Sequence, residues 1–393
     1  MPVGSGRRLV ALALPPGDEL AAAIEAAWSQ GDAVLPLDPA MPADVRRAVE
    51  VSLRPDLPVD GDAALVIATS GSTGVPKGVQ LSAAALEASA RATVDRLGLT
   101  ADDVWLSCLP WHHIAGLQVW LRARLLGSGL RVQPRFDVDA FAAAAATGAT
   151  VTSLVPTQLR RLLDARVDLT GFRTVLLGGG KPPAGLVDEA QAAGAHVVTT
   201  YGMSETCGGC VYDGKPLDGV GVRVDDDGRI WLRGPMLTSG YRLRPDLTAD
   251  ALVDGWLRTA DRGRIGPDGA LVVFGRLDDV VISGGENVDP SAVAEVLASH
   301  PSVVDVAVVG VPDDEWGQAV AAVVVLAPGE TLSVAGARDW CTGRLPAAAL
   351  PRHVIAVEAM PMLSSGKPDR GALRQLAYAG SARSRQSPPP SRR

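Results

Sequence analysis

A ten-residue run near the start of the chain, Thr69-Ser70-Gly71-Ser72-Thr73-Gly74-Val75-Pro76-Lys77-Gly78, constrains fold and chemistry more than any other segment. Its small hydroxyl and glycine residues let backbone N–H and side-chain O–H groups close around phosphate oxygens, and Lys77 adds a point charge. The apolar stretch Ala63-Ala64-Leu65-Val66-Ile67-Ala68 reads as a strand that delivers the chain straight into this loop. Gly71 precedes Lys77 at the spacing of a Walker A loop. However, Pro76 takes the glycine position before the lysine, and Gly78 replaces the Ser/Thr that would hold Mg2+. A P-loop NTPase is therefore a poor fit, and a magnesium ligand has to come from elsewhere.

At 393 residues the chain has room for two or three domains and a large core. With 47% apolar and 21% charged residues it reads as a soluble globular protein, and a net charge of −7 argues against a nucleic-acid partner. No apolar run reaches the roughly 20 residues that span a bilayer. Arg7-Arg8 followed by Leu9–Leu14 has a faint look of a secretory leader, but Pro15-Pro16-Gly17-Asp18 ends the run early, so a cytoplasmic protein is expected. Cys207 and Cys210 form a C-x-x-C, but Cys108 and Cys341 stand alone with no histidine at ligand spacing. Packing rather than zinc or redox chemistry is the reading for all four.

Apolar runs and alanine-rich helical stretches alternate through residues 61–180: helices over Ser82–Leu97, Gly116–Leu126 and Thr157–Ala165, strands over Val104–Leu109 and Val151–Val155. This predicts an α/β fold with mostly parallel strands. Residues 1–60 offer one helix, Glu19–Ser29, and a strand at Ala33–Leu37. From about 211 the Asp-Gly pairs at 227–228, 254–255 and 268–269 predict a small antiparallel β subdomain. Beyond Asp279, helices over Pro290–Ser299 and Val334–Leu345 and strands over Val303–Val309 and Val320–Leu326 predict a compact α+β domain. The expected division is a large domain over 1–277, a small mobile one over 278–376, and a disordered basic Pro/Ser tail over 377–393.

Further motifs follow in order. Thr200-Tyr201-Gly202-Met203-Ser204-Glu205-Thr206 succeeds a strand; Arg258-Thr259-Ala260-Asp261 and Gly275-Arg276-Leu277-Asp278-Asp279 follow; Ser283-Gly284-Gly285-Glu286-Asn287 and Pro361–Lys367 complete the set. Together with the 69–78 run, this series resembles the adenylate-forming superfamily of acyl-CoA synthetases, adenylation domains and luciferases, over about residues 60–376. The resemblance implies that Ser70, Gly71, Ser72, Thr73, Gly74 and Lys77 cradle the phosphates of ATP. It further implies that Tyr201 stacks on adenine beside Thr200, Gly202, Met203 and Ser204, and that Glu205 is the magnesium ligand. Asp261, in a T-A-D where the family has T-G-D, would hold the ribose, with Arg276 near ribose or phosphate. Asp278 would be a hinge, Gly284 and Gly285 would face the pantetheine of coenzyme A, and Lys367 would be the adenylation lysine on a moving loop.

Within that superfamily, Leu109-Pro110-Trp111-His112-His113-Ile114-Ala115-Gly116, Ser153–Leu159, Leu177-Gly178-Gly179-Gly180 and Tyr201–Tyr212 resemble the actinobacterial o-succinylbenzoate–CoA ligases of menaquinone biosynthesis. That resemblance implies a small aromatic dicarboxylic acid as substrate, with ATP, Mg2+ and coenzyme A. The acid's ring needs an apolar pocket, and its second carboxylate needs a cation or donors. Arg122 is the candidate cation, the alternative being an ordinary surface arginine of its helix. Ser153 and Thr157 are candidate donors, His113 a candidate gate, and Gly178–Gly180 part of the nucleotide site. Another aryl- or acyl-CoA ligase, or an adenylation domain loading a carrier protein, shares the core motifs, and the sequence leaves a homodimer open.

Overall fold

The computed structural model describes residues 6–59, 61–70, 75–362 and 368–386, with the side chains of Ser70 and residues 382–386 excepted. Gly71, Ser72, Thr73, Gly74, Lys367 and the tail from 387 therefore lie outside the described residues.

Two sheets build the larger part of the chain. In the first, parallel strands Leu9–Leu12, Ala33–Pro36 and Ala63–Ser70 lead to an antiparallel strand, Pro76–Ser82, with the short strand Gly240–Tyr241 on its far edge. Thr69 lies opposite Lys77 and Ser70 opposite Pro76, so the two arms of the glycine-rich run are paired strands. The second sheet has seven strands. Val104–Ser107, Gly129–Val132, Val151–Leu154, Thr174–Leu177 and Val197–Met203 run parallel, and Gly208–Tyr212 and Lys215–Pro216 extend it in antiparallel fashion. In open sheets of this kind ligands bind beyond the carboxyl ends of the parallel strands. Here those ends carry the segments starting at Cys108, Val155, Gly178 and Ser204.

Helices Ala83–Leu97 and Ile114–Leu126 pack on each other and join both sheets through a core that includes Leu65, Ile67, Leu86, Leu117, Trp120 and Val211. Ser82 caps the first of them, its Oγ accepting from Ala85 N at 3.1 Å, a contribution of about 1 kcal/mol. A third sheet, Gly221–Val224, Arg229–Arg233, Leu252–Val253, Trp256–Ile265 and Leu271–Arg276, is wholly antiparallel and turns at the expected Asp-Gly pairs. A single 3-10 turn, Leu277–Asp279, separates it from the fourth sheet. There Gly317–Leu326 pairs with Val303–Asp313, Val281–Ser283 and His353–Ala356, and helices Pro290–Ala298, Val334–Cys341 and Arg370–Gln386 complete the smaller α+β part.

Two expectations are corrected. Residues 1–60 hold a second helix, Ala43–Leu53, anchored by buried Val49 and Leu53. The segment from 377 is not uniformly disordered: the last helix continues to Gln386, because Leu373 and Ala377 are buried against Val309, Val311 and Val323 of the fourth sheet.

Candidate functional site

Hydrogen bonds from several directions hold the turn that follows Val197–Met203. Thr206 Oγ1 accepts from Met203 N at 2.9 Å and donates to Gly208 O at 2.6 Å, closing a 3-10 turn over Ser204–Thr206. Ser89 Oγ donates to Cys207 O at 3.1 Å, and Thr238 N donates to Glu205 O at 2.8 Å. Gly202 is required here: a Cβ at this position would lie 2.0 Å from the carbonyl oxygen of Gly208. Gly178 is equally confined, its Cβ position being 2.3 Å from Thr200 Oγ1. Gly179 and Gly180 are exposed beyond it, and Met203 and Ser204 are half-buried.

On this base the structure forms two phenol–carboxylate pairs. Tyr201 OH donates to Asp261 Oδ2 at 2.8 Å, joining the second and third sheets. Burial and then Asp261 push the Tyr201 phenol far above its usual range, so it remains a donor. Arg276 Nη1 lies 3.8 Å from Asp261 Oδ1 while its Nη2 pairs with Asp278 at 3.0 Å, linking the aspartate to the turn between the two parts of the chain. The second pair is Tyr241 OH to Glu205 Oε1, at 2.8 Å. Tyr241 was not anticipated from sequence. It reaches the site because Gly240–Tyr241 pairs with Val79 and Gln80, and Lys77 Nζ sits 5.7 Å from its ring centroid.

Among the described residues no three His, Cys, Asp or Glu side chains gather as a metal cage. Magnesium does not need one, since it is held by one or two carboxylates together with substrate phosphates and water. The half-buried Glu205 carboxylate, bonded to the hydroxyl of the Tyr241 ring that Lys77 also meets, fits a magnesium ion that arrives with a nucleotide.

The second-sheet helix supplies the remaining groups. Trp111 Nε1 donates to Ser107 Oγ at 2.9 Å and its ring stacks on Trp120 at 5.7 Å, fixing the loop that presents His112 and His113. Their rings lie 4.3 Å apart, and His113 is the N-cap of Ile114–Leu126. Gly116 lets that helix cross the loop, for a Cβ there would be 2.3 Å from Pro110 O. Arg124 is the surface arginine of this helix, paired with Glu25 at 2.7 Å. Arg122 is not: it is 4% exposed, has no carboxylate within ion-pair distance among the described residues, and its Nε lacks a hydrogen-bond partner. Its guanidinium carbon lies 5.8 Å from the Trp105 ring centroid, and burial lowers its pKa. Ser153 is buried with an unpartnered Oγ, whereas Thr157 is exposed at the start of helix Pro156–Asp164.

Charged side chains of the smaller part reach toward this region. Lys181, just after Gly178–Gly180, pairs with Glu295 of helix Pro290–Ala298 at 3.1 Å. Arg370 and Arg374 both pair with Asp279, and Arg370 lies within electrostatic reach of Asp261, Arg276 and Asp278. Met362 and Pro368, on either side of 363–367, are bridged to each other. Gly284 and Gly285 are exposed beside Trp316, in a surface hollow shared with Ile282 and Gln318. All four cysteines are buried free thiols. No helix among the described residues is long and apolar enough to cross a membrane.

A parallel-sheet domain joined by one short turn to a smaller α+β domain, with ligand-ready loops facing the junction, is a two-domain α/β enzyme fold. Residues 45–242 match the AMP-binding enzyme family and residues 292–367 match the AMP-binding enzyme C-terminal domain. The chain belongs to the AMP-binding enzyme family. It is 44% identical over 345 residues to the Mycobacterium tuberculosis protein named "Probable 2-succinylbenzoate--CoA ligase", covering 84% of this chain and 88% of that one. Among solved structures, it is similar to o-succinylbenzoate CoA synthetase of Bacillus subtilis in complex with its acyl-adenylate intermediate, with TM-score 0.84, 28% identity, and 94% and 88% of the two chains covered. ATP-bound MatB of Rhodopseudomonas palustris gives 0.87 and 27%, over 95% and 89%. A double mutant of the Bacillus enzyme bound with its product analogue scores 0.66 at 28% identity, over 94% and 89%.

Proposed function

We propose that this chain is a cytoplasmic 2-succinylbenzoate–CoA ligase of menaquinone biosynthesis, converting 2-succinylbenzoate, ATP and coenzyme A to 2-succinylbenzoyl-CoA, AMP and pyrophosphate. The observation that carries the choice of acid is Arg122. A buried guanidinium without an anion costs several kcal/mol, and a protein retains one where a ligand brings the counter-charge. A dianionic acid does so: one carboxylate reacts and the other meets Arg122, with the Ser153 hydroxyl as a further donor. Fatty acids and other monocarboxylates leave that cation unpaired.

In the first half-reaction a succinyl carboxylate oxygen attacks the α-phosphorus of ATP, and the bond to the pyrophosphate leaving group breaks. Tyr201 offers a ring face to adenine and fixes Asp261, whose carboxylate accepts from the ribose hydroxyls with Arg276 beside it. Lys77 and the 70–74 loop hold the phosphates, Glu205 holds magnesium, and Lys367 neutralises charge developing at the α-phosphate. Magnesium supplies charge neutralisation on the phosphate oxygens. In the second half-reaction the coenzyme A thiol loses its proton, sulfur bonds to the acyl carbon, and the bond to AMP breaks. The domain over 278–376 turns about Asp278 between the two steps, withdrawing Lys367 and bringing Gly284 and Gly285 to the pantetheine, while His113 gates the acyl tunnel.

Incubation of the purified chain with 2-succinylbenzoate, ATP, Mg2+ and coenzyme A, read by mass spectrometry, should give the acyl-CoA and AMP in equal amounts. A thioester formed equally well from benzoate or a medium-chain fatty acid would remove the acid assignment and leave a broader acyl-CoA ligase.

A further inference from the structure

The nucleotide site contains one aromatic residue that no motif singled out. Tyr241 is fixed at its backbone: it pairs with Val79 on the edge of the first sheet, and its N–H donates to Thr248 Oγ1 at 2.9 Å. Gly240, at φ +136°, packs so tightly on Thr248 that a Cβ there would lie 2.5 Å from Thr248 Cγ2. A side chain held this firmly points where the sheet aims it. Its hydroxyl donates to Glu205 Oε1 at 2.8 Å, and its ring lies 5.7 Å from the ammonium of Lys77.

Lys77 lies on a strand of the first sheet and Glu205 on the 3-10 turn that follows Val197–Met203 of the second, 128 positions apart in sequence, yet they share this one phenol. The hydroxyl engages one carboxylate oxygen, so Glu205 is held in one orientation with its second oxygen turned elsewhere. The ring face attracts the lysine head by a cation–π contact.

We infer that Tyr241 is a positioning residue for a divalent-cation–nucleoside triphosphate complex: its hydroxyl orients Glu205 toward the metal, and its ring holds Lys77 toward the phosphates. The inference rests on the ligase reading only in taking Glu205 for the metal carboxylate. It predicts a separation of the two effects. Tyr241→Phe keeps the ring and loses only the hydroxyl, so metal affinity falls while nucleotide affinity is nearly kept. Tyr241→Leu loses both.

The test uses the full chain and three measurements: Mn2+ binding in the presence of ATP by electron paramagnetic resonance, the Mg2+ dependence of ATP–pyrophosphate exchange, and the KM for ATP at saturating Mg2+. Tyr241→Phe should weaken Mn2+ binding and raise the half-saturating Mg2+ by about 10-fold, with exchange at saturating Mg2+ restored to within a few-fold of the parent. Tyr241→Leu should add a several-fold rise in KM for ATP. The same Mn2+ affinity in Tyr241→Phe and the parent, or a loss of exchange that saturating Mg2+ does not recover, would overturn the inference. If the parent binds Mn2+ with ATP but shows no exchange with 2-succinylbenzoate, the ligase reading fails while the binding comparison still decides the role of Tyr241.

Discussion

Replacing Arg122 with leucine should make the free protein more stable and the enzyme much worse, and this opposition follows from its surroundings. The side chain is 4% exposed and its Nε is unpartnered. In the free protein the substitution removes an uncompensated buried charge and fills the space with hydrocarbon. Changes of this type are neutral to stabilising by about 1–4 kcal/mol, which raises Tm by about 2–4 °C per kcal/mol in a domain of this size. With substrate bound, the balance reverses. Removing one member of a buried, hydrogen-bonded charge pair costs about 2–5 kcal/mol, or about 30-fold to several thousand-fold in kcat/KM. The assay compares 2-succinylbenzoate with 3-benzoylpropionate, which has the reacting chain and the ring but lacks the benzoate carboxylate. The parent should strongly prefer the former, and Arg122→Leu should bring the two acids within a few-fold of each other. The reasoning is refuted if Arg122→Leu lowers Tm and reduces both acids equally, for then Arg122 serves the core and not the second carboxylate.

Other predictions rest on separate contacts. Gly202→Ala forces a methyl to 2.0 Å from Gly208 O and should cut pyrophosphate exchange by more than about 100-fold, with the circular dichroism spectrum retained. Charge reversal at Lys181 or Glu295 alone should slow acyl-adenylate formation up to about 5-fold and spare thioester formation from synthetic acyl-adenylate; the exchanged pair should recover the first step, as single-turnover assays would report. His112 is held below its usual pKa by burial, against the pull of Asp38. The unfolded chain therefore takes up the proton first. The stability tied to this group is present above about pH 6.5 and is lost as pH falls through that value. His112→Gln should flatten the slope in urea melts between about pH 5 and 7. Lys367→Ala should abolish acyl-adenylate formation and largely spare the thioester step; equal loss in both would sink the alternation between two poses.

Much of this architecture is legible in the chain because its signals are local. Parallel strands between alanine-rich helices, Asp-Gly turns and the ordered motifs are each contained in a few residues. Resemblance puts Tyr201 and Asp261 on one nucleotide, and the structure brings them to hydrogen-bond distance across two sheets. What escaped is what depends on distant pairing or on context. Helix Ala43–Leu53 is polar on average and buries only Val49 and Leu53, so its apolar stripe is narrow and short. Strand Pro76–Ser82 opens with Pro-Lys-Gly and is a strand because Ala63–Ser70 lies beside it. Tyr241 acquires its place from a two-residue strand whose partner lies about 160 positions earlier, which no local pattern announces. The tail looked disordered by composition, but two buried residues, Leu373 and Ala377, hold its first part as helix. Arg122 shows the opposite case: its sequence position left a surface arginine and a ligand cation equally open, and burial separates it from Arg124.

Activation of a dianionic aromatic acid by adenylation is read out by ATP–pyrophosphate exchange with 2-succinylbenzoate, benzoate and octanoate, measured side by side on the parent protein. Strong magnesium-dependent exchange is expected with 2-succinylbenzoate and near-background exchange with the two monocarboxylates. Background exchange with 2-succinylbenzoate, or equal exchange with all three acids, would contradict it.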